Sequence, residues 1–203
     1  MKATSKSEIE EGLTSNDSKI RLGWIERMDW TPTFKQVERG LNDGSFEELL
    51  AWLEREDWTP TSKQIDILLN HEYSYIQELL LRRYDWTPTS KQVTSGLYSV
   101  DEDVRAAWAW RQDVTFTPEQ IEEGLTDDVD EVREAWAERT DFTPTQEQVE
   151  QGLADKSSRV RSVWAERTDF TPTPEQVERG LADKNSRVRS VWAKRTDAIP
   201  TSK

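Results

Sequence analysis

An arginine recurs every 28 residues along this 203-residue chain, at Arg27, Arg55, Arg83, Arg111, Arg139, Arg167 and Arg195. Guanidinium groups at a fixed interval could grip a periodic anion such as nucleic-acid phosphate. Each arginine, however, stands two residues before an aspartate: Asp29, Asp57, Asp85, Asp113, Asp141, Asp169 or Asp197. Each also follows a recurring apolar position by three residues, held by Trp24, Trp52, Leu80, Trp108, Trp136, Trp164 and Trp192. A cation placed there can stack on indole, pair with the carboxylate and complement a helix C-terminus, so a structural role is expected. A second candidate is the acidic run Asp127, Asp128, Asp130, Glu131 and Glu134, within a stretch of 28 residues that holds ten acids against two bases. It lacks the glycine turn and distant glutamate of a calcium loop, so no calcium site is expected, and a solvated face is the plain alternative. His71 is the one histidine and cysteine is absent. Paired imidazoles, thiolate metal sites, disulfides and thiol nucleophiles are therefore excluded. A lone His71 beside Glu72 reads as a surface turn residue. The sequence predicts a non-enzyme with no cofactor and no metal.

These residues must be positioned by repeated elements. At period 28 the copies run 1–28, 29–56, 57–84, 85–112, 113–140, 141–168 and 169–196 without insertions, and 197–203 match the start of an eighth. At repeat positions 5 and 8 stand Ser5/Glu8, Thr33/Gln36, Thr61/Gln64, Thr89/Gln92, Thr117/Gln120, Thr145/Gln148 and Thr173/Gln176. That spacing is a capping box, which opens a short helix A; Pro118 and Pro174 suit its first position. Val37/Leu41, Val149/Leu153 and Val177/Leu181 give helix A one apolar face. Gly12, Gly40, Gly96, Gly124, Gly152 and Gly180 either end it or admit a close neighbour. The aspartates Asp43, Asp127, Asp155 and Asp183 are the expected caps of helix B. Its buried stripe is Val104/Ala107/Trp108 and the equivalents Val132/Ala135/Trp136, Val160/Val163/Trp164 and Val188/Val191/Trp192. Trp30, Trp58 and Trp86, with Phe142 and Phe170 at the same position, are expected to wedge the turn between copies. A helix–turn–helix of this size cannot bury its own apolar face, so the fold class expected is all-α, an α-solenoid of seven repeats forming a single domain over 1–203.

The stretch Asp155-Lys-Ser-Ser-Arg-Val160-Arg161-Ser-Val-Trp164-Ala165, followed by a Thr-Pro turn, resembles the leucine-rich-repeat-variant and HEAT-like α-helical repeat families. The resemblance implies a helical repeat fold. It carries no activity over to this chain, because such families include protein binders and a few members that act on DNA. Tryptophan stands here where those families use smaller apolar residues.

Forty acids against 27 bases give a net charge of −13, which opposes phosphate binding, while ten tryptophans argue against disorder. No segment approaches the length of about 20 apolar residues that a bilayer requires, and no apolar stretch of a secretory signal follows Met1. A cytoplasmic monomer without membrane contact is the expectation. The second to fourth copies break their own pattern with aromatic residues: Phe34, Phe46, Tyr73, Tyr75, Tyr84, Tyr98 and Trp110. Two explanations stand. Phe46, Tyr73, Tyr75, Tyr84, Tyr98 and Trp110 form a partner-binding surface, or the third copy, with Leu68 in place of glycine, repacks its core around bulkier residues. The function expected is a non-catalytic protein-binding scaffold or adaptor. The alternative is an acidic nucleic-acid mimic that inhibits a DNA- or RNA-binding protein. A HEAT-like DNA-binding or glycosylase-type protein is a third.

Overall fold

The computed structural model describes residues 5–195, which are all-α and carry fourteen helices among them. They alternate as helices A and B of successive copies. The first three pairs are α1 (Lys6–Leu13) with α2 (Ser18–Ile25), α3 (Phe34–Asp43) with α4 (Phe46–Glu54), and α5 (Ser62–Leu69) with α6 (Ser74–Leu81). Next come α7 (Ser90–Leu97) with α8 (Glu102–Trp110) and α9 (Pro118–Leu125) with α10 (Asp130–Ala137). The last pairs are α11 (Gln146–Leu153) with α12 (Ser158–Glu166) and α13 (Pro174–Leu181) with α14 (Ser186–Lys194). The chain divides into two compact units, Met1–Gln92 and Val93–Lys203, and within each the fold is a solenoid-like helical repeat. The expected eighth copy at 197–203, and the pairing of Asp197 with Arg195, lie outside the described residues.

Local sequence explains each helix start. The reciprocal capping box forms at Ser5, Thr33, Thr61, Thr117, Thr145 and Thr173. Thr89 and Gln92 exchange the same two bonds, at 2.9 and 3.3 Å. Two donors that a helix start would leave orphaned are thereby satisfied at every copy.

Helix B begins later than the sequence suggested. Its cap is Asp17, Ser45, Tyr73, Asp101, Val129, Ser157 or Asn185, two residues beyond the aspartates proposed. Asp127, Asp155 and Asp183 instead accept from the amides of Val129, Ser157 and Asn185 at 2.9, 2.7 and 2.8 Å. This is an aspartate turn two residues wide, which shapes the loop before the helix rather than capping it. Asp43 is the last residue of α3.

The glycines serve packing. A Cβ on Gly12, Gly40, Gly96, Gly124, Gly152 or Gly180 would lie 1.7 to 2.2 Å from the indole of Trp24, Trp52, Trp108, Trp136, Trp164 or Trp192, respectively. Among the described residues no glycine has a positive φ, so close approach alone requires them. In the third copy the pair becomes Leu68 and Leu80, both fully buried. Glycine plus tryptophan and leucine plus leucine are two ways to fill one space, and each half makes sense only with its partner.

Most of the expected stripe is buried, with Trp52, Trp108, Trp136 and Trp164 each 1% exposed. Ala107 and Val191 are half-buried. The first and last described copies depart from the pattern. Trp24 is half-buried rather than core, and Leu181 is 46% exposed where Leu153 is buried. Each lacks, among the described residues, the flanking helix that covers its counterparts.

Candidate functional site

The arginine ladder is a mechanical staple between copies. Arg139 is buried, and its Nε and Nη2 hold the Asp141 carboxylate at 2.9 and 2.6 Å. Its Nη1 donates to the Ala109 and Arg111 carbonyls at 2.6 Å each, and Nη2 reaches Val114 O at 3.1 Å. All five guanidinium donors thus have acceptors. The carbonyls of Ala109 and Arg111 belong to the C-terminal end of the preceding copy's helix B, where orphan acceptors and the negative helix pole favour a cation. Arg83, Arg167 and Arg195 repeat the pattern on Leu53, Arg55 and Trp58, on Ala137, Arg139 and Phe142, and on Ala165, Arg167 and Phe170. Each guanidinium also lies over a ring: Arg55 over Trp30 at 4.6 Å, Arg83 over Trp58 at 4.7 Å and Arg167 over Phe142 at 4.8 Å. In the fifth copy the ring is Phe116, at 4.5 Å from Arg139. Trp30, Trp58 and Trp86 wedge the turn as expected, their Nε1 donating back to the carbonyls of Trp24, Trp52 and Leu80 at 3.1, 2.9 and 3.2 Å. Guanidiniums engaged in this way have no donors left for a phosphate backbone.

A second ladder escaped the sequence analysis. Arg105, Arg133 and Arg161 each form a two-pronged bridge to the aspartate one copy on: Asp127 at 2.8 and 3.0 Å, Asp155 at 2.7 and 2.9 Å, Asp183 at 2.7 and 2.9 Å. The signal was present, because the arginine and the aspartate 22 residues later recur together in three successive copies. The Arg161 bridge holds the Asp183 carboxyl below its ordinary range. At Asp127 burial opposes ionisation, yet the Arg105 bridge and the Val129 amide together lower its pKa.

The acidic run is consequently not a uniform exposed patch. Asp127 is absorbed by Arg105, while Arg159 of the next copy gathers Asp130 at 3.3 Å, Glu134 at 3.5 Å and Glu131 in a short contact. Asp130 is lowered to about 2, by the Ser157 hydroxyl first and Arg159 after it. Asp128 stands out most, its side chain 91% exposed and 3.4 Å from Arg105.

The aromatic deviations divide. Phe46, at the first position of α4, packs edge-on against Tyr73 with centroids 5.3 Å apart and lies 6.3 Å from Tyr75. Tyr73 caps α6 and Tyr75 is its second residue; they are 47% and 45% exposed, with Phe46 half-buried between neighbours. His71 explains this turn: its Nδ1 accepts from the Tyr73 amide at 3.2 Å, doing what Ser or Asp does in other copies, and its ring stacks near Tyr73. Tyr84 in the first unit and Trp110 in the second are exposed, as is Phe34. Tyr98 is exposed too, and its hydroxyl donates to Glu123 at 2.5 Å, a bond that raises its pKa. Of the rings that depart from the repeat, all but Phe46 are exposed, and the structure brings Phe46, Tyr73 and Tyr75 together.

Two grooves lie at equivalent places between copies, where the residue before the helix-B loop is serine. One of about 550 Å³ is bordered by Ser99, Arg105 and Trp136, and one of about 320 Å³ by Ser15, Arg21 and Trp52. Among the described residues no helix is long and apolar enough to cross a membrane. No known family profile, curated protein or solved structure matches the chain.

Proposed function

We propose that this chain is a non-catalytic protein-binding module of the HEAT-like or leucine-rich-repeat-variant kind, whose docking surface is the Phe46–Tyr73–Tyr75 cluster. The observation that carries the proposal is the exposure of two tyrosines that contact a shared phenylalanine on neighbouring copies. Rings left half in water offer large, rigid contact area with a polar tip, which is the composition of interface hot spots. The occupant that fits is a basic segment of a partner protein. Glu47 and Glu72 are exposed next to Phe46 and Tyr73 in sequence, and neither 40–54 nor 64–81 contains a lysine or arginine. A lysine or arginine can stack on the ring faces while the carboxylates take its charge.

Substitution of both Tyr73→Ala and Tyr75→Ala, followed by capture of partners from the native source, tests this. Loss of a basic partner with helix content unchanged supports the surface. Undiminished capture rejects it. The acidic-mimic alternative draws less support, because Asp127, Asp130, Glu131 and Glu134 are engaged by Arg105 and Arg159. The glycosylase-type alternative draws none from the arginines, whose donors hold carbonyls of neighbouring copies.

A further inference from the structure

The fourth copy departs from the repeat in the loop before its helix B. Tyr98 stands where other copies place Thr14, Asn42, Thr126 or Ala154, and Val100 where they place Asn16, Glu72, Asp128 or Lys156. Tyr98 is 62% exposed and Val100 98% exposed. A valine wholly in water contributes nothing to the core, so this departure is not a repacking of the fold. The loop is also fixed in place. The Ser99 hydroxyl accepts from the Asp101 amide at 3.2 Å, and Arg105 Nη1 donates to the Ser99 and Val100 carbonyls at 2.9 and 3.4 Å. A valine presented on a held backbone can be covered at little cost in ordering.

Tyr98 and Val100 form one wall of the groove of about 550 Å³ between the fourth and fifth copies, which lies wholly within the second unit. The border holds one base, Arg105, against Glu102, Glu123, Asp127 and Asp128. Arg105 is committed to Asp127 at 2.8 and 3.0 Å and meets Asp128 only at 3.4 Å. Glu102, Glu123 and Asp128 are exposed. The equivalent groove of the first unit has Thr14 and Ser15 on its border, and there Arg21 and Arg39 balance Asp43 and Glu48. Of these two grooves, only the larger joins an exposed apolar wall to an unbalanced acidic rim.

We propose that this groove is a second docking site, for a short basic segment of a partner protein. One aliphatic side chain of the segment lies against Val100 and Tyr98, and flanking lysines face Glu102, Glu123 and Asp128. Charge selects the segment, because these carboxylates repel nucleic acid and acidic peptides and draw ammonium groups. The volume falls within the range of ligand pockets and admits a side chain the size of leucine's with the backbone around it. The site shares a class of occupant with the Phe46–Tyr73–Tyr75 surface but none of its residues, so either can fail without the other.

The test is titration of the intact, nitrogen-15-labelled chain with acetyl-Lys-Leu-Lys-amide, following the backbone amides of Tyr98, Val100, Glu123 and Val129. Acetyl-Lys-Ser-Lys-amide and acetyl-Glu-Leu-Glu-amide are the controls for apolar contact and for charge. The leucine peptide is expected to shift those amides saturably, the serine peptide to bind about fivefold more weakly and the acidic peptide not to bind. Val100→Asn, which installs the residue of the first copy at an exposed site, should weaken binding about fivefold with helix content unchanged. Glu102→Gln with Glu123→Gln should weaken it about fivefold at low salt. Glu147→Gln with Glu175→Gln removes the same charge from α11 and α13 and should leave binding within about twofold. Amides that stay in place, a serine peptide that binds as tightly, an affinity that Val100→Asn leaves unchanged, or equal weakening by the two glutamate pairs overturns the proposal. So does a shift of the same amides when the chain is concentrated without peptide, which would give the groove to a second copy.

Discussion

The two units build the same repeat with different amounts of polar glue. In Val93–Lys203 the bridges Arg105–Asp127, Arg133–Asp155 and Arg161–Asp183 run copy to copy without a break. In Met1–Gln92 the corresponding arginine position holds Arg21, Leu49 and Gln77. Arg21 turns to Glu48, and Gln77 bonds the His71 carbonyl at 2.8 Å. Where that ladder lapses, the aromatic cluster and the Leu68/Leu80 substitution occur. One unit repeats a mechanical solution faithfully; in the other the bridge positions of the second and third copies hold Leu49 and His71, and the exposed Tyr73 packs beside His71.

The largest effect is expected at the arginine staple that both units share. Arg139→Ala should destabilise by ~3–5 kcal/mol, since it strips buried carbonyls and a carboxylate of their donor. Arg27→Ala should have a far smaller effect, because its side chain is 40% exposed and its aspartate partner 52%. Equal losses in chemical denaturation would refute the staple. A smaller effect is expected from the ladder that only the second unit keeps intact. Arg133→Gln, which leaves Asp155 in an aspartate turn without its charged partner, should cost ~1.5–3 kcal/mol. Gln77→Ala in the first unit should cost ~0.5–1.5 kcal/mol, the value of one neutral bond.

Acid should sharpen the same contrast. Asp183 and Asp127 have pKa values lowered in the folded chain, so their contribution is present above the unfolded value of about 4 and is lost as pH falls through the lower folded value. For Asp130 that loss extends down to about 2. Hydrogen exchange on the intact chain between about pH 4 and 2 should show a larger loss of protection in α10, α12 and α14, where these bridged aspartates are protonated, than in α1 and α4, where the exposed Glu8 and Glu47 titrate. The smallest effect is expected for Tyr73→Ala with Tyr75→Ala, where half-exposed rings leave stability within about 1 kcal/mol while partner capture is lost. A large stability loss would instead make the cluster part of the core.

Much of the fold was legible in the sequence, because the capping boxes and the tryptophan–arginine stripe depend on spacing within one copy. The aromatic residues were legible as departures from the repeat; that Tyr73, Tyr75, Tyr84, Tyr98 and Trp110 stand exposed came from the structure. Other features were not, for identifiable reasons. The start of helix B was misplaced because an aspartate that opens a loop and one that caps a helix look alike until the backbone is seen. The Arg133–Asp155 ladder spans 22 residues across a copy boundary, so its two halves belong to different copies and neither copy alone shows the pair. The glycine–tryptophan lock needed geometry, although Leu68 and Leu80 changing together had signalled it.

The glycine–tryptophan lock makes residues in helices A and B of one copy two halves of a single fit. A double-mutant cycle on Gly124 and Trp136 measures it directly. Gly124→Leu alone should cost ~1–3 kcal/mol through overpacking and Trp136→Leu alone ~2–5 kcal/mol through the space it leaves. The double variant, which recreates the pairing of the third copy, should fall within ~1.5 kcal/mol of the starting chain. Costs that simply add would contradict the account.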